Sequence, residues 1–345
     1  MPQLILVLRD LYPARLDAAT QAALPRLTAL EHWLARGVRR ASPEGWRAWL
    51  WRESGGPEPG AGPRPAATPA SIAGAAVAGV GEGQPVWLAT PVHLMAGLDT
   101  VRLHPSGLLN LDGGEQAMLA ADFARVFAGS GYALHATGRR ELLLTGDAAG
   151  AAGSVRSHDP ARWLGMDPRD GFPAGAAAPP LLRLGAEIEM WLHEHPVNRA
   201  RVQRRQLQAT ALWLWGGGAP ALFAGTKVQA APSARAHTVA WAEDLYIDGL
   251  ARLRGISIAT SAQRWTRSAG DMLAVCDLGA TPDPESLLAL ERDWVEPALA
   301  CWREGSVQNA TLLAGDRAVT LQGRAWRAIA WRWRRARPWW ESLLQ

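Results

Sequence analysis

The chain has 345 residues, 48% of them hydrophobic and 20% charged, which is the composition of a folded globular protein with length enough for two domains. Its formal net charge of +4 is carried almost wholly by arginine, since Lys227 is the only lysine; with the excess of Ala, Gly and Pro, a GC-rich genome accounts for this more simply than a polyanionic partner does. No run of about 18 apolar residues occurs, which excludes a helical membrane span, and two cysteines, Cys276 and Cys301, cannot build a disulfide framework.

Gln3 to Leu8 is a continuous apolar run, the pattern of a strand buried on both faces. Arg9 and Asp10 follow it at once with no small-residue cleavage site, so it reads as a first strand and not a signal peptide. With the cysteine count, this predicts a soluble cytoplasmic protein. Leu24, Leu27, Leu30 and Leu34 fall on one helical face that Gly37 ends. Residues 53–69, rich in Gly, Pro and Ala, read as a loop or linker. Residues 86–147 read as a smaller α+β unit, with strands at Val86–Leu88, Thr100–Leu103 and Glu141–Thr145 and a helix over Glu115–Phe127. Residues 148–180 lack periodicity and read as an irregular connection.

Further on, Leu184, Ile188, Trp191, Leu192 and His195 share a helical face, and Pro196 ends that helix. Ala211–Trp215 reads as a strand closed by Gly216, Gly217 and Gly218. Trp241 and Leu245 suit a helix ending near Gly255, and Met272–Leu278 a strand. Pro284 suits a helix start, with Leu288, Val295, Leu299 and Trp302 on one face. Ala310–Ala314 is the last strand, and Arg324–Trp340 interleaves Arg and Trp.

Strands alternating with helices predict an α/β fold: a doubly wound parallel sheet from residues 1–75 and 205–345, with a smaller α+β domain inserted at 76–204. Ligands of such sheets bind outside the carboxyl ends of the strands. Asp10, Asp277, Asp316 and the glycines at 216–218 are expected there, and carboxylates suit a hard cation such as Mg²⁺. Loop-start aspartates are also ordinary turn and cap residues. Gly216 and Gly218 would let backbone approach a phosphate, although they match neither phosphate-loop pattern and a tight turn accounts for them more simply. His193 and His195 are two residues apart on a helix and face different directions, so a helix-end role suits His195 better than a shared metal. Ser71 and Ser106 have no base partner evident in the sequence.

One segment carries a resemblance. HEHPVNRARVQRRQLQATALWLWGGGAP, His193 to Pro220, resembles the HPxN-x-x-R … N-x-hWhWGxG-x-P signature of the archaeal-type cofactor-independent phosphoglycerate mutases. It looks more closely like a divergent proteobacterial branch with members labelled as regulatory proteins. VWLATPVHL (Val86–Leu94) and LERDWVEPAL (Leu290–Leu299) are similar to the same branch. The resemblance implies an alkaline-phosphatase-like core with an inserted smaller domain, two divalent metals, and a serine that carries the phosphoryl group.

The sequence departs from the family at those chemical positions. Where the family has Pro-Gly-Ser-Asp this chain reads Pro65-Ala66-Ala67-Thr68, which puts Ala67 at the nucleophile. The late metal-binding histidines have no counterpart, because every histidine lies at or before His237, and the Asp-His pair reads Asp316-Arg317. Asp10, Asp277 and Asp283 remain, leaving room for one weakly bound Mg or Mn on Asp10, Asp277 and Asp316. Asn198 and Arg201 match the family's phosphate-ester-binding positions, and an arginine fork suits an oxyanion. A structural role for this segment, centred on Trp213, Trp215 and the glycine turn, is the alternative.

The expectation is therefore a catalytically degenerate mutase-like protein that binds a phosphorylated metabolite or a partner protein. Its enzyme rival is an active mutase (an isomerase) or phosphatase with rearranged ligands, which would carry about two metal ions per chain. A third reading makes the Trp/Arg tail a nucleic-acid or membrane-surface arm. Trp326, Ile329 and Trp333 at helical spacing speak against it, since they suit packing on the core with the arginines in water.

Overall fold

The chain alternates strands and helices over two sheets. The computed structural model describes residues 2–12, 18–56, 67–81, 83–97, 100–146, 155–218, 239–258, 265, 270–278, 283–323 and 337–344. Its strands are β1 (Gln3–Arg9) and β2 (Val38–Ala41), then β3 (Val86–Ala96), β4 (Val101–Leu108), β5 (Ala133–His135), β6 (Leu142–Thr145) and β7 (Ala211–Trp215). They continue with β8 (Val239–Trp241), β9 (Ser257–Ile258), β10 (Met272–Asp277), β11 (Asn309–Ala314) and β12 (Arg317–Leu321). Two compact units result. The first is Met1–Gly55, Ala230–Glu243 and Gly255–Gln345, and the second is Gly56–Gln229 and Asp244–Arg254.

The first unit holds a seven-stranded sheet in the order β2-β12-β11-β1-β10-β8-β9. β1 pairs in parallel with β10 and with β11, β10 with β8, and β8 with β9. Leu4 to Leu8 are all fully buried, so both faces of β1 are covered, as its unbroken apolar run requires. On one face Leu4, Leu6 and Leu8 share a cluster with Leu30, Trp33, Leu34, Leu299 and Trp302. Each such side chain contributes roughly 1.5–3 kcal/mol by leaving water. Trp33 satisfies its indole N–H by donating to the Val319 carbonyl at 3.1 Å, as a buried tryptophan must.

Two features of this unit were not legible beforehand. The chain turns back after β11, and β12 pairs antiparallel with β11 and then with β2. The outer strand β2 carries Arg39 and Arg40, charges that discourage pairing with another chain. The second feature corrects a helical face. Leu288 is 50% exposed, whereas Leu287 and Leu290 are buried. A π-turn over Glu291–Val295 follows the helix Pro284–Leu290. The wider turn shifts register by about one residue, so Leu287, not Leu288, lines up with Val295, Leu299 and Trp302. The same turn supplies Glu291, whose carboxylate accepts the backbone N–H groups of Ala29 and Leu30. That caps the helix Thr28–Arg36, whose own N-cap residue, Leu27, offers no side-chain bond.

Of the Trp/Arg tail, residues 324–336 with Trp326, Ile329 and Trp333 lie outside the described residues. Beyond them Trp339 is fully buried in the core cluster, donates its indole N–H to the Pro25 carbonyl at 3.1 Å, and opens the helix Trp339–Leu344.

The second unit holds a five-stranded antiparallel sheet. Its path is β4-β3-β6-β5, with β7 also paired to β3. The sequence reading placed Ala211–Trp215 in one parallel sheet with Gln3–Leu8. β7 instead pairs with β3, with Leu88 opposite Trp215 and Val92 opposite Ala211. All five β7 residues are buried. A strand buried on both faces reads as the same apolar run in either kind of sheet, so its pattern does not reveal its partner. The helices Gly113–Val126 and Pro179–His193 supply Leu119, Phe123, Leu184, Ile188 and Leu192 to a cluster with Leu142, Leu144, Leu212 and Leu214.

Candidate functional site

The predicted carboxylates converge by topology and stop there. Arg9 is opposite Asp277, and Leu8 is opposite Ala314, so β1, β10 and β11 end side by side and Asp10, Asp277 and Asp316 follow at one sheet edge. Asp10 is buried and sits at φ +63, a left-handed conformation that Asp tolerates better than most residues. Its Oδ2 lies 3.6 Å from Nε of Arg9, itself buried, and Arg9 reaches the Glu243 carbonyl at 3.4 Å. Asp277 and Asp316 are exposed. Asp316 occupies the turn between β11 and β12, where its carbonyl accepts the Ser42 N–H. Asp283 caps the helix Pro284–Leu290 by accepting Ser286 N–H at 2.9 Å. Among the described residues no group of three or more His, Cys, Asp and Glu side chains is arranged to hold a metal ion.

In the second unit, Ala67 stands at the nucleophile position implied by the resemblance, and the hydroxyls beside it are committed to each other. Thr68 is the N-cap of the helix Pro69–Gly74. Its Oγ1 accepts the Ser71 N–H at 3.2 Å, while Ser71 Oγ accepts the Thr68 N–H at 2.8 Å and donates to the Thr68 carbonyl at 2.9 Å. Ser71 is fully buried. This reciprocal capping box satisfies orphan helix donors, and among the described residues no basic side chain bonds either hydroxyl.

The segment that carries the resemblance is spent on holding the unit together. Asn198 is buried; its Nδ2 donates to the carbonyls of Leu192 at 2.7 Å and Ala209 at 2.8 Å, and its Oδ1 accepts the Ala209 N–H at 2.8 Å. Arg201 is buried too; Nε donates to the Leu207 carbonyl at 2.7 Å and NH1 to Glu115 at 2.8 Å. Asn198 and Arg201, the expected ligand-binding side chains, therefore each have internal partners. The glycine turn is likewise occupied. Gly216 (φ +62) donates its N–H to Ser157 Oγ, and Gly218 (φ +95) to the Val86 carbonyl. Between them, a Cβ on Gly217 would lie 2.0 Å from the Val86 oxygen. The glycines thus form a tight turn folded onto β3, with the N–H groups of Gly216 and Gly218 engaged.

His195 is the N-cap of the helix Pro196–Gln203, accepting the Val197 N–H on Nδ1 at 3.2 Å. That fixes a neutral ring with its proton on Nε2. Nε2 lies 3.5 Å from Asp122 Oδ2, which instead accepts the Trp191 indole N–H at 2.8 Å. Burial, with Arg199 adding to it, holds the His195 pKa below the ordinary histidine value, against the opposing pull of Asp122. A depressed pKa stabilises the fold above the unfolded histidine pKa of about 6.5, and that stability is lost as pH falls through the folded value. His195→Asn keeps a cap and removes the titration, so its melting temperature is expected to fall less steeply with acidification than that of the wild type. Parallel curves for the two proteins would assign the acid sensitivity elsewhere.

Sequence reasoning missed Glu115, although Asp112-x-x-Glu115 is a capping-box spacing. Asp112 Oδ1 accepts the Glu115 N–H at 2.8 Å, and Glu115 returns a bond to the Asp112 N–H at 3.0 Å. It also missed a cleft of about 640 Å³ lined by His135, Thr137, Asp248 and Arg252 and by small apolar side chains. Beside it Arg139 grips Asp248 through two bonds, at 2.7 and 3.2 Å.

No family model matches the chain, and no curated protein does. Among solved structures, a cofactor-independent phosphoglycerate mutase from Thermoplasma acidophilum is similar at 13% identity and a TM-score of 0.39, over 93% of this chain and 90% of that one. The PH0037 protein from Pyrococcus horikoshii is similar at 12% identity and a TM-score of 0.46, over 93% of this chain and 87% of that one. These are likenesses of fold alone. No helix among the described residues is long and apolar enough to cross a membrane.

Proposed function

We propose that the chain is a phosphoglycerate-mutase-like scaffold on a doubly wound, alkaline-phosphatase-like core, from the divergent branch that includes regulatory proteins. It carries no mutase chemistry and works in the cytoplasm by holding a phosphorylated small molecule or a protein partner. The observation that carries this reading is the Ala67–Ser71 turn. A phosphoryl carrier needs a nucleophile activated by a base or a metal. Ala67 has no such group, and Thr68 and Ser71 spend their hydroxyls on capping. The parallel pairing of β1 with β10 and β11 supports the core assignment. At the shared strand edge, Asp10, Asp277 and Asp316 hold at most one weakly bound Mg²⁺ or Mn²⁺, short of the two ions that clamp attacking and leaving oxygens.

The full chain, supplied with Mn²⁺ or Mg²⁺, is expected to show no interconversion of 2- and 3-phosphoglycerate above background. Loss of a nucleophile costs roughly 10⁶-fold in the subtilisin precedent. Ala67→Ser is expected to leave the protein silent, because the family's late metal-binding histidines are missing as well. Elemental analysis of chelator-free protein should find fewer than about two ions per chain. Robust wild-type turnover with Mn²⁺ would sink the proposal.

A further inference from the structure

The cleft of about 640 Å³ in the second unit falls in the size range of small-molecule sites. Most of its lining is apolar, and four of those residues are alanines: Ala76, Ala78, Ala120 and Ala136, with Val77, Leu134 and Leu245. Side chains of this size leave the space that the cleft occupies. The polar groups of the lining are unequal. Asp248 is neutralised by the bidentate Arg139 pair. His135 is held below the ordinary histidine pKa by burial, so it is uncharged near neutrality, and its Nε2 lies 3.1 Å from Thr145 Oγ1. Arg252 lines the cleft and is exposed, and among the described residues it has no hydrogen-bond or ion-pair partner. The cleft therefore presents one uncompensated guanidinium within a mostly apolar lining.

We propose that this cleft binds a small organic oxyanion, a phosphate monoester or a carboxylate, with its charged head on Arg252 and its apolar body on the alanine lining. A planar guanidinium fork matches either head group, and the apolar lining favours an organic ester over the bare ion. None of the lining residues belongs to the Asn198–Arg201 segment; the inference deepens the reading of a phosphorylated small-molecule binder, and the absence of mutase chemistry is tested separately, by turnover.

The experiment is titration calorimetry of the full chain with phenyl phosphate, benzoate and inorganic phosphate. Phenyl phosphate or benzoate is expected to bind at one site per chain and tighter than inorganic phosphate. Preference for phenyl phosphate assigns a phosphate monoester; preference for benzoate assigns a carboxylate. Arg252→Gln, at an exposed position, is expected to weaken binding about tenfold, the value of one charge-assisted contact. Ala120→Leu is expected to remove the preference for the aromatic probes by filling the cleft. Ala136→Leu, on an exposed residue, makes the same test if the first substitution disturbs folding. Binding that survives Arg252→Gln unchanged, an aromatic preference that survives a folded filling variant, or no binding of either aromatic probe overturns the proposal.

Discussion

Glu115→Ala is expected to cost about 3–5 kcal/mol, the usual penalty for breaking a buried ion pair by removing one partner. Glu115 and Arg201 both have side chains less than a tenth exposed, and they meet at 2.8 Å. The same carboxylate accepts the Asp112 N–H and pairs with Arg204. It therefore closes the helix Gly113–Val126 and ties it to the helix Pro196–Gln203. Removing it leaves the Asp112 cap in place but breaks the return bond to the Asp112 N–H, and it strands the Arg201 charge. The loss should appear in chemical denaturation of the full chain and in faster amide exchange at both helices. Glu115→Gln keeps an acceptor for the cap and should cost less. Glu115→Ala combined with Arg201→Met should cost less than the sum of the two single changes, because no orphan charge remains. If Glu115→Ala melts like the wild type, the ion pair does not hold the second unit together.

What the sequence revealed depended on how locally each feature is encoded. β1, β10 and β11 were legible because a strand buried on both faces is predominantly apolar, as Leu4–Leu8 is throughout. The helix Pro179–His193 was legible from the four-residue spacing of Leu184, Ile188 and Leu192. Partnership was not legible. β7 is as apolar as β1, yet it belongs to the antiparallel sheet, since β3 is long enough to pair with β4, β6 and β7 along different stretches. The π-turn at Glu291–Val295 moved a helical face by one residue, and no side-chain pattern announces such a turn. Among candidate site residues, the shared edge of Asp10, Asp277 and Asp316 followed from strand direction alone. What Asn198 and Arg201 bond to did not, because those partners, the Ala209 and Leu207 carbonyls and Glu115, are set by tertiary packing.

Asn198→Asp separates the two accounts of the segment that resembles the mutases. The substitution keeps shape and volume but replaces an NH₂ group that donates to the Leu192 and Ala209 carbonyls. Two buried carbonyls lose their donor, and a carboxylate oxygen faces them. Each unsatisfied buried group costs about 1–3 kcal/mol, so a loss of roughly 3 kcal/mol or more is expected in the ligand-free protein. Burial among carbonyl oxygens raises the pKa of the new carboxyl in the folded state above its unfolded value. A raised pKa means the penalty is smallest when the group is protonated and grows as pH climbs through the folded pKa. The stability gap between Asn198→Asp and the wild type should therefore narrow on acidification from about pH 8 to about pH 5. A residue kept to hold an external oxyanion would behave differently. Its replacement would leave the melting temperature of the free protein near that of the wild type and weaken phosphate-ester binding alone. That outcome would restore Asn198 to the ligand site and remove it from the frame of the second unit.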